Sequence, residues 1–185
     1  MTDVKSGGYV LRLTVTLFAV TAVTALLLSL VNSVTKDKIS GNAALNDALS
    51  QVMPVENAAF SKIAYTGSDA VVYEASSEGV PVGWCVVVES AGYKGPMSMV
   101  VGVDPDLSVS GVVIVSSSET IGLGTKTEDP EWLSQFIGKK APIGVNSGDN
   151  HIDAVTGATV SSTTVTNGVN AALEVAAQVK GEKAK

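Results

Sequence analysis

Pro81-Val82-Gly83-Trp84-Cys85-Val86-Val87-Val88-Glu89-Ser90 reads as a β-strand. At a spacing of two, Val82, Trp84, Val86 and Val88 fall on one face, and Gly83, Cys85, Val87 and Glu89 on the other. The turn-rich stretch Gly92-Tyr93-Lys94-Gly95-Pro96 follows. Residues 97–103 and 109–115 give two more strands, joined by the turn sequence Asp104-Pro105-Asp106-Leu107. A further strand, 70–75, precedes the central one. Short consecutive strands with tight connections predict an antiparallel sheet. Cys85 reads as a small core hydrophobe rather than a redox thiol.

Downstream, residues 116–125 form a loop, Ser-Ser-Ser-Glu-Thr-Ile-Gly-Leu-Gly-Thr. The glycines flanking Leu123 permit backbone shapes that other residues resist. Such a loop either wraps a flat ligand, with Leu123 as an apolar contact, or is a surface connection. Residues 130–137 predict a short helix that buries Trp132, Leu133, Phe136 and Ile137. A polar turn at 146–150 precedes a last short strand over 151–155, with His151 at the strand edge. From Val160 the pattern is helical, with Val165, Val169, Ala172, Leu173 and Ala176 on one face. The expected fold is α+β: an antiparallel sheet with packed helices, preceded by one N-terminal transmembrane helix.

That transmembrane helix is the apolar run 10–34, where residues 13–31 carry no charge. This matches the roughly 20 residues a helix needs to cross a bilayer. A cleaved signal peptide competes, because Lys5 and Arg12 give a positive start. Its apolar core would be shorter, however, and no Ala-x-Ala site follows. Lys5 and Arg12 before the span balance Lys36 and Lys38 after it, so flanking charge does not set the orientation. Thr14, Thr21, Ala25 and Ser29, extended by Asn32, line one stripe of the span. Such a stripe suits close packing against a membrane partner, although threonines bonded to their own backbone also suit a lone helix. Ile39, Ala43, Leu45, Ala48, Leu49 and Val52 then mark an amphipathic helix ending before Pro54. The expected division is anchor 1–36, linker helix 37–55 and a folded domain 56–185.

Bulk properties narrow the chemistry. The 185 residues have a net charge of −6 and 16% charged residues, yet a mean hydropathy of +0.32. The acidic balance argues against nucleic acid as a partner. One cysteine excludes an intramolecular disulfide or a cysteine-only metal cluster, and one histidine makes a histidine-based metal site or a Ser-His-Asp triad improbable. Chemistry must come from hydroxyls, carboxylates, backbone groups or a bound cofactor, with no metal site expected.

Asp153-Ala154-Val155-Thr156-Gly157-Ala158-Thr159 places a threonine where the last helix begins. Helix N-termini present unpaired N–H groups and partial positive charge, which suits a phosphate. A threonine there can be free, can cap the helix, or can itself be esterified to the phosphate.

The run resembles the flavinylation motif Asp-x-x-Ser/Thr-Gly-Ala-Thr of the FMN-binding domain family. This domain occurs in the G subunit of the Rnf complex and in the C subunit of the Na⁺-translocating NADH:quinone reductase. Two further stretches are similar to that family: Gly92-Tyr93-Lys94-Gly95-Pro96 to its Gly-Tyr-x-Gly-Pro turn, and Glu119-Thr120-Ile121-Gly122-Leu123-Gly124 to its Glu-Thr-Pro-Gly-Leu-Gly loop. Ile121 stands where the family usually has Pro, and Val160 where a hydroxyl residue is common. The short chain with one N-terminal span is more similar to the Rnf subunit.

The resemblance implies FMN joined by a phosphoester to Thr159. A separate Mg²⁺-dependent flavin transferase would install it, using FAD as donor. Asp153 would orient the threonine or bind the transferase. Thr156, Gly157 and Ala158 would complete the attachment turn, and Glu119, Thr120, Leu123, Gly124 and Thr125 would border the ring. The implied role is electron transfer in a complex running from reduced ferredoxin to NAD⁺, coupled to Na⁺ or H⁺ export. Other integral membrane and iron–sulfur subunits would be its partners, alongside membrane lipid. The domain would lie on the extracytoplasmic side. The chain itself has neither ferredoxin-type cysteines nor a Rossmann glycine pattern. Rival readings are a quinone-reductase-type subunit or stand-alone anchored FMN carrier, and a non-redox anchored binding domain.

Overall fold

The computed structural model describes residues 6–39 and 42–183. The chain divides into two compact units, Met1–Ala44 and Leu45–Lys185.

The first unit holds helix α1, Ser6–Ile39. Its stretch Val10–Ser29 is long and apolar enough to cross a membrane. Inside a hydrocarbon layer a helix must satisfy its own polar groups. Here the hydroxyls of Thr14, Thr16, Thr21 and Thr24 each donate to a carbonyl three or four residues back. The threonines of the expected stripe are therefore satisfied without a second helix. Ile39 is the last residue of α1 rather than part of the following helix. Of the two positive residues counted before the span, Lys5 lies outside the described residues.

The second unit is built on five antiparallel strands in the order β1-β2-β3-β4-β5: Ala58–Ile63, Val71–Ser77, Val80–Ala91, Pro96–Val103 and Val109–Ser116. Sequence neighbours are sheet neighbours throughout, as the short connections predict. Strand β1 is an edge strand that the sequence pattern does not announce. Its burial is partial and irregular.

Both faces of the sheet are covered. On one face Val72, Trp84, Val86, Val88, Met97, Met99, Val101 and Val103 meet helix α4, Thr159–Lys183. The α4 face expected from its periodicity, Val165, Val169, Ala172, Leu173 and Ala176, is buried in this cluster. On the other face Cys85, Val87 and Val100 meet Ala48, Leu49 and Val52 of helix α2, Asn42–Val52, and Met53 just beyond it. This double coverage explains why β3 is apolar at nearly every position. Burial pushes the Cys85 thiol up to about 12 and keeps it protonated, as expected of a core hydrophobe.

One face assignment is corrected. Val82 packs with the α2 cluster, not with Trp84. The register slips from Ala75↔Gly83 to Ser76↔Pro81, and the extra residue reverses the alternation.

Gly102 and Gly111 are opposite each other on β4 and β5. A Cβ on Gly111 would lie 2.9 Å from Val52 Cα, and one on Gly102 would collide with Val52 O. This paired absence of side chains lets the end of α2 rest directly on the sheet, where Ser110 Oγ donates to Val52 O at 2.7 Å.

Beyond the sheet, helix α3, Pro130–Leu133, continues as a 3₁₀ turn, Ser134–Phe136. Leu133 and Phe136 are buried, but Ile137 is 57% exposed, against expectation. Phe136 turns its ring edge-to-face with Trp132 at 5.6 Å, and Ile137 leaves the tightened turn with extended backbone. The predicted strand 151–155 is only β7, His151–Ile152, paired in parallel with β6, Gly144–Val145.

Candidate functional site

The run that leads from Asp153 to Thr159 begins where β7 ends. Residues 153–155 have no strand beside them, so their N–H groups need other partners. Side chains supply all three. Gln135 Oε1 accepts from Asp153 N at 2.8 Å, Asn146 Oδ1 from Ala154 N at 2.7 Å, and Ser162 Oγ from Val155 N at 3.0 Å. Trp132 Nε1 donates to Asp153 O at 2.7 Å.

Val155 to Ala158 then form a turn closed by Ala158 N donating to Val155 O at 2.9 Å. Gly157 has φ +80° at the third position of this turn, which favours glycine. A Cβ there would also press on Leu123 Cδ1 at 3.1 Å. Ser162 Oγ, buried, donates onward to Ala158 O at 3.0 Å and so ties both ends of the turn.

Thr159 is the first residue of α4, and Ala158, whose carbonyl accepts from Ser162 N, occupies the capping position. Thr159 is thus one residue inside the cap expected for it. Its side chain is exposed, and its hydroxyl makes no hydrogen bond among the described residues. The first-turn N–H groups of Thr159, Val160 and Ser161 are equally uncommitted among the described residues, as the geometry of a helix start requires.

These groups border a cleft of about 390 Å³ lined by Tyr93, Glu119, Thr120, Leu123, Gly124, Gly157, Ala158, Thr159, Val160 and Ser161. The volume falls within the roughly 300–1,000 Å³ of small-molecule sites. All three sequence motifs converge here. Glu119 is 8% exposed. Its Oε1 accepts from Tyr93 N at 2.7 Å and its Oε2 from Ser161 Oγ at 2.9 Å.

Not every expected residue lines the cleft. Thr125 instead turns its hydroxyl to accept from Gly122 N at 3.0 Å. Thr156 is exposed at the turn apex. Asp153 points away, with its side chain 85% exposed and 3.8 Å from His151 Nε2. Sequence reasoning did not single out Tyr93, Val160 and Ser161 as lining residues. It also missed the four side chains that hold the run. Their only sequence signal is polarity at helix and turn positions. Among the described residues no cluster of three His, Cys, Asp or Glu is placed to hold a metal ion.

An uncommitted hydroxyl, free helix-start amides and a cleft with apolar walls (Tyr93, Leu123, Val160) together fit a phosphate-bearing planar ligand. The FMN-binding domain family matches residues 92–174, a span that includes all three motifs. The chain is 31% identical over 189 residues to the G subunit of the Na⁺-translocating ferredoxin:NAD⁺ oxidoreductase complex of Acetobacterium woodii, covering 90% of this chain and 91% of that one. This chain belongs to the G-subunit family. The G subunit of the ion-translocating oxidoreductase complex of Erwinia tasmaniensis is 32% identical over 178 residues, covering 84% of each chain. The fold has a solved counterpart in the C subunit of the Na⁺-translocating NADH-quinone reductase of Parabacteroides distasonis. That likeness has a TM-score of 0.53 at 24% identity, covering 60% of this chain and 62% of that one.

Proposed function

We propose that this chain is a membrane-anchored electron-transfer protein carrying FMN covalently on Thr159, within an ion-translocating ferredoxin:NAD⁺ oxidoreductase complex. The observation that carries the reading is the Thr159 hydroxyl, exposed and without a partner among the described residues, at the mouth of a cleft and the start of α4. The names of its relatives support the complex.

Attachment is a phosphoryl transfer. The Thr159 hydroxyl attacks the FMN-side phosphorus of FAD, bound to a Mg²⁺-dependent transferase. The P–O bond of the pyrophosphate breaks, AMP leaves and the hydroxyl proton is released. The free amides of the first turn of α4 stabilise the phosphate charge. Gly157 keeps the approach clear of a side chain. Leu123 and Val160 give the cleft apolar walls, and Thr120 and Ser161 offer hydrogen bonds. When bound, FMN supplies the electron-transfer chemistry, while the protein fixes its position and tunes its potential. Asp153, exposed and turned from the cleft, serves transferase recognition rather than the ring.

A chain with one buried cysteine carries no iron–sulfur cluster of its own, so its donor and acceptor are other subunits. Residues 10–29 anchor it in lipid, with the folded domain on the extracytoplasmic side.

The test is a denaturing gel of the full chain co-expressed with the transferase and viewed under ultraviolet light. The band fluoresces in the wild type and in Thr156→Ala, and fluorescence is absent in Thr159→Ala. Fluorescence that survives Thr159→Ala sinks the assignment.

A further inference from the structure

Burying a carboxylate is costly unless hydrogen bonds replace its water. Glu119 is the most buried acidic residue among those described, at 8% exposure, and all its replacement partners come from the cleft. One oxygen takes the N–H of Tyr93, in the turn between β3 and β4. The other takes the hydroxyl of Ser161, in the first turn of α4, whose positive end faces it. Its own N–H is fixed by Ser117 Oγ at 3.1 Å. Shape agrees with charge. A Cβ on Gly92 would sit 2.5 Å from Oε1, and a Cβ on Gly124 would sit 2.6 Å from Oε2. A glycine in the turn and a glycine in the loop therefore leave room for this one carboxylate.

We propose that Glu119 is a positioning residue that joins the turn, the loop and α4 into one preformed cleft and holds down the reduction potential of the flavin there. The first half concerns the protein alone. The second rests on the proposed function. A largely buried negative charge beside the cleft opposes the negative charge that reduction adds. The α4 amides, by contrast, favour negative charge at the phosphate. The carboxylate and the amides thus act in opposite senses on one ligand.

Glu119→Gln separates the halves, because the amide still accepts from Tyr93 N–H and still reaches Ser161 Oγ, but carries no charge. In the full detergent-solubilised chain loaded by the transferase, the flavin-bearing fraction of Glu119→Gln is expected to titrate at a higher midpoint potential than the flavin-bearing wild type. A midpoint equal to or below wild type overturns the electrostatic half. The latch is read on the flavin-free Thr159→Ala chain by hydrogen exchange at the Tyr93 amide. Loss of one net hydrogen bond speeds exchange about tenfold, which is the expectation for Glu119→Ala. Unchanged exchange overturns the latch. If Glu119→Ala does not fold, Ser161→Ala decides instead, with faster Tyr93 exchange supporting the latch and unchanged exchange overturning it. A wild-type chain that carries no flavin overturns the proposed function and the electrostatic half with it, while the exchange measurement still judges the latch.

Discussion

Strands β3 and β4 pair continuously from Trp84↔Val103 to Ala91↔Pro96, and their side chains lie between two covering helices. The run 153–158 that leads into α4 has no such ladder. Gln135, Asn146, Trp132 and Ser162 hold its backbone from three separate elements. In the first region backbone bonds are repetitive and side chains supply burial. In the second, side chains supply the backbone bonds and little is buried. A loop can thus be held firmly by side chains while the Thr159 hydroxyl at its end stays uncommitted among the described residues.

The contrast can be broken by substitution. Met99→Ala removes a fully buried side chain from the middle of β4 and should cost about 2–5 kcal/mol, read by denaturant unfolding of the detergent-solubilised chain. Flavin fluorescence per folded molecule should stay at the wild-type level. Gly157→Ala forces a side chain into φ +80° and against Leu123. It should cost about 1–2 kcal/mol and, unlike Met99→Ala, lower the fluorescence per folded molecule. Gln135→Leu leaves Asp153 N–H without its acceptor and should cost about 1 kcal/mol. If Gln135→Leu proved as damaging as Met99→Ala, the loop would be part of the core and the distinction would fail.

The same contrast explains what the sequence revealed. Four of the five sheet strands were legible because alternation and burial are written in residue type. Helix α4 was legible because Val165, Val169, Ala172 and Ala176 repeat at helical spacing. Edge strand β1 was not, since a half-exposed strand has little pattern to show. The bulge that reverses Val82 left no sign either, because valine suits both faces of a sheet covered on each side. At the site, the three motifs gave the exposed threonine at the start of α4, the glycine turn and the loop. They could not show that Asp153 and Thr125 are not among the residues that line the cleft, because proximity in a motif does not fix side-chain direction. The support from Trp132, Gln135 and Asn146 was invisible for another reason: its bonds go to backbone, which has no sequence identity.

The one cysteine has a further consequence. Cys85 is sealed between the sheet and α2, with its thiol protonated at any physiological pH. The fold has no covalent cross-link to gain in an oxidising compartment and none to lose in a reducing one. Crossing a membrane changes nothing in the bonds this domain needs in order to fold.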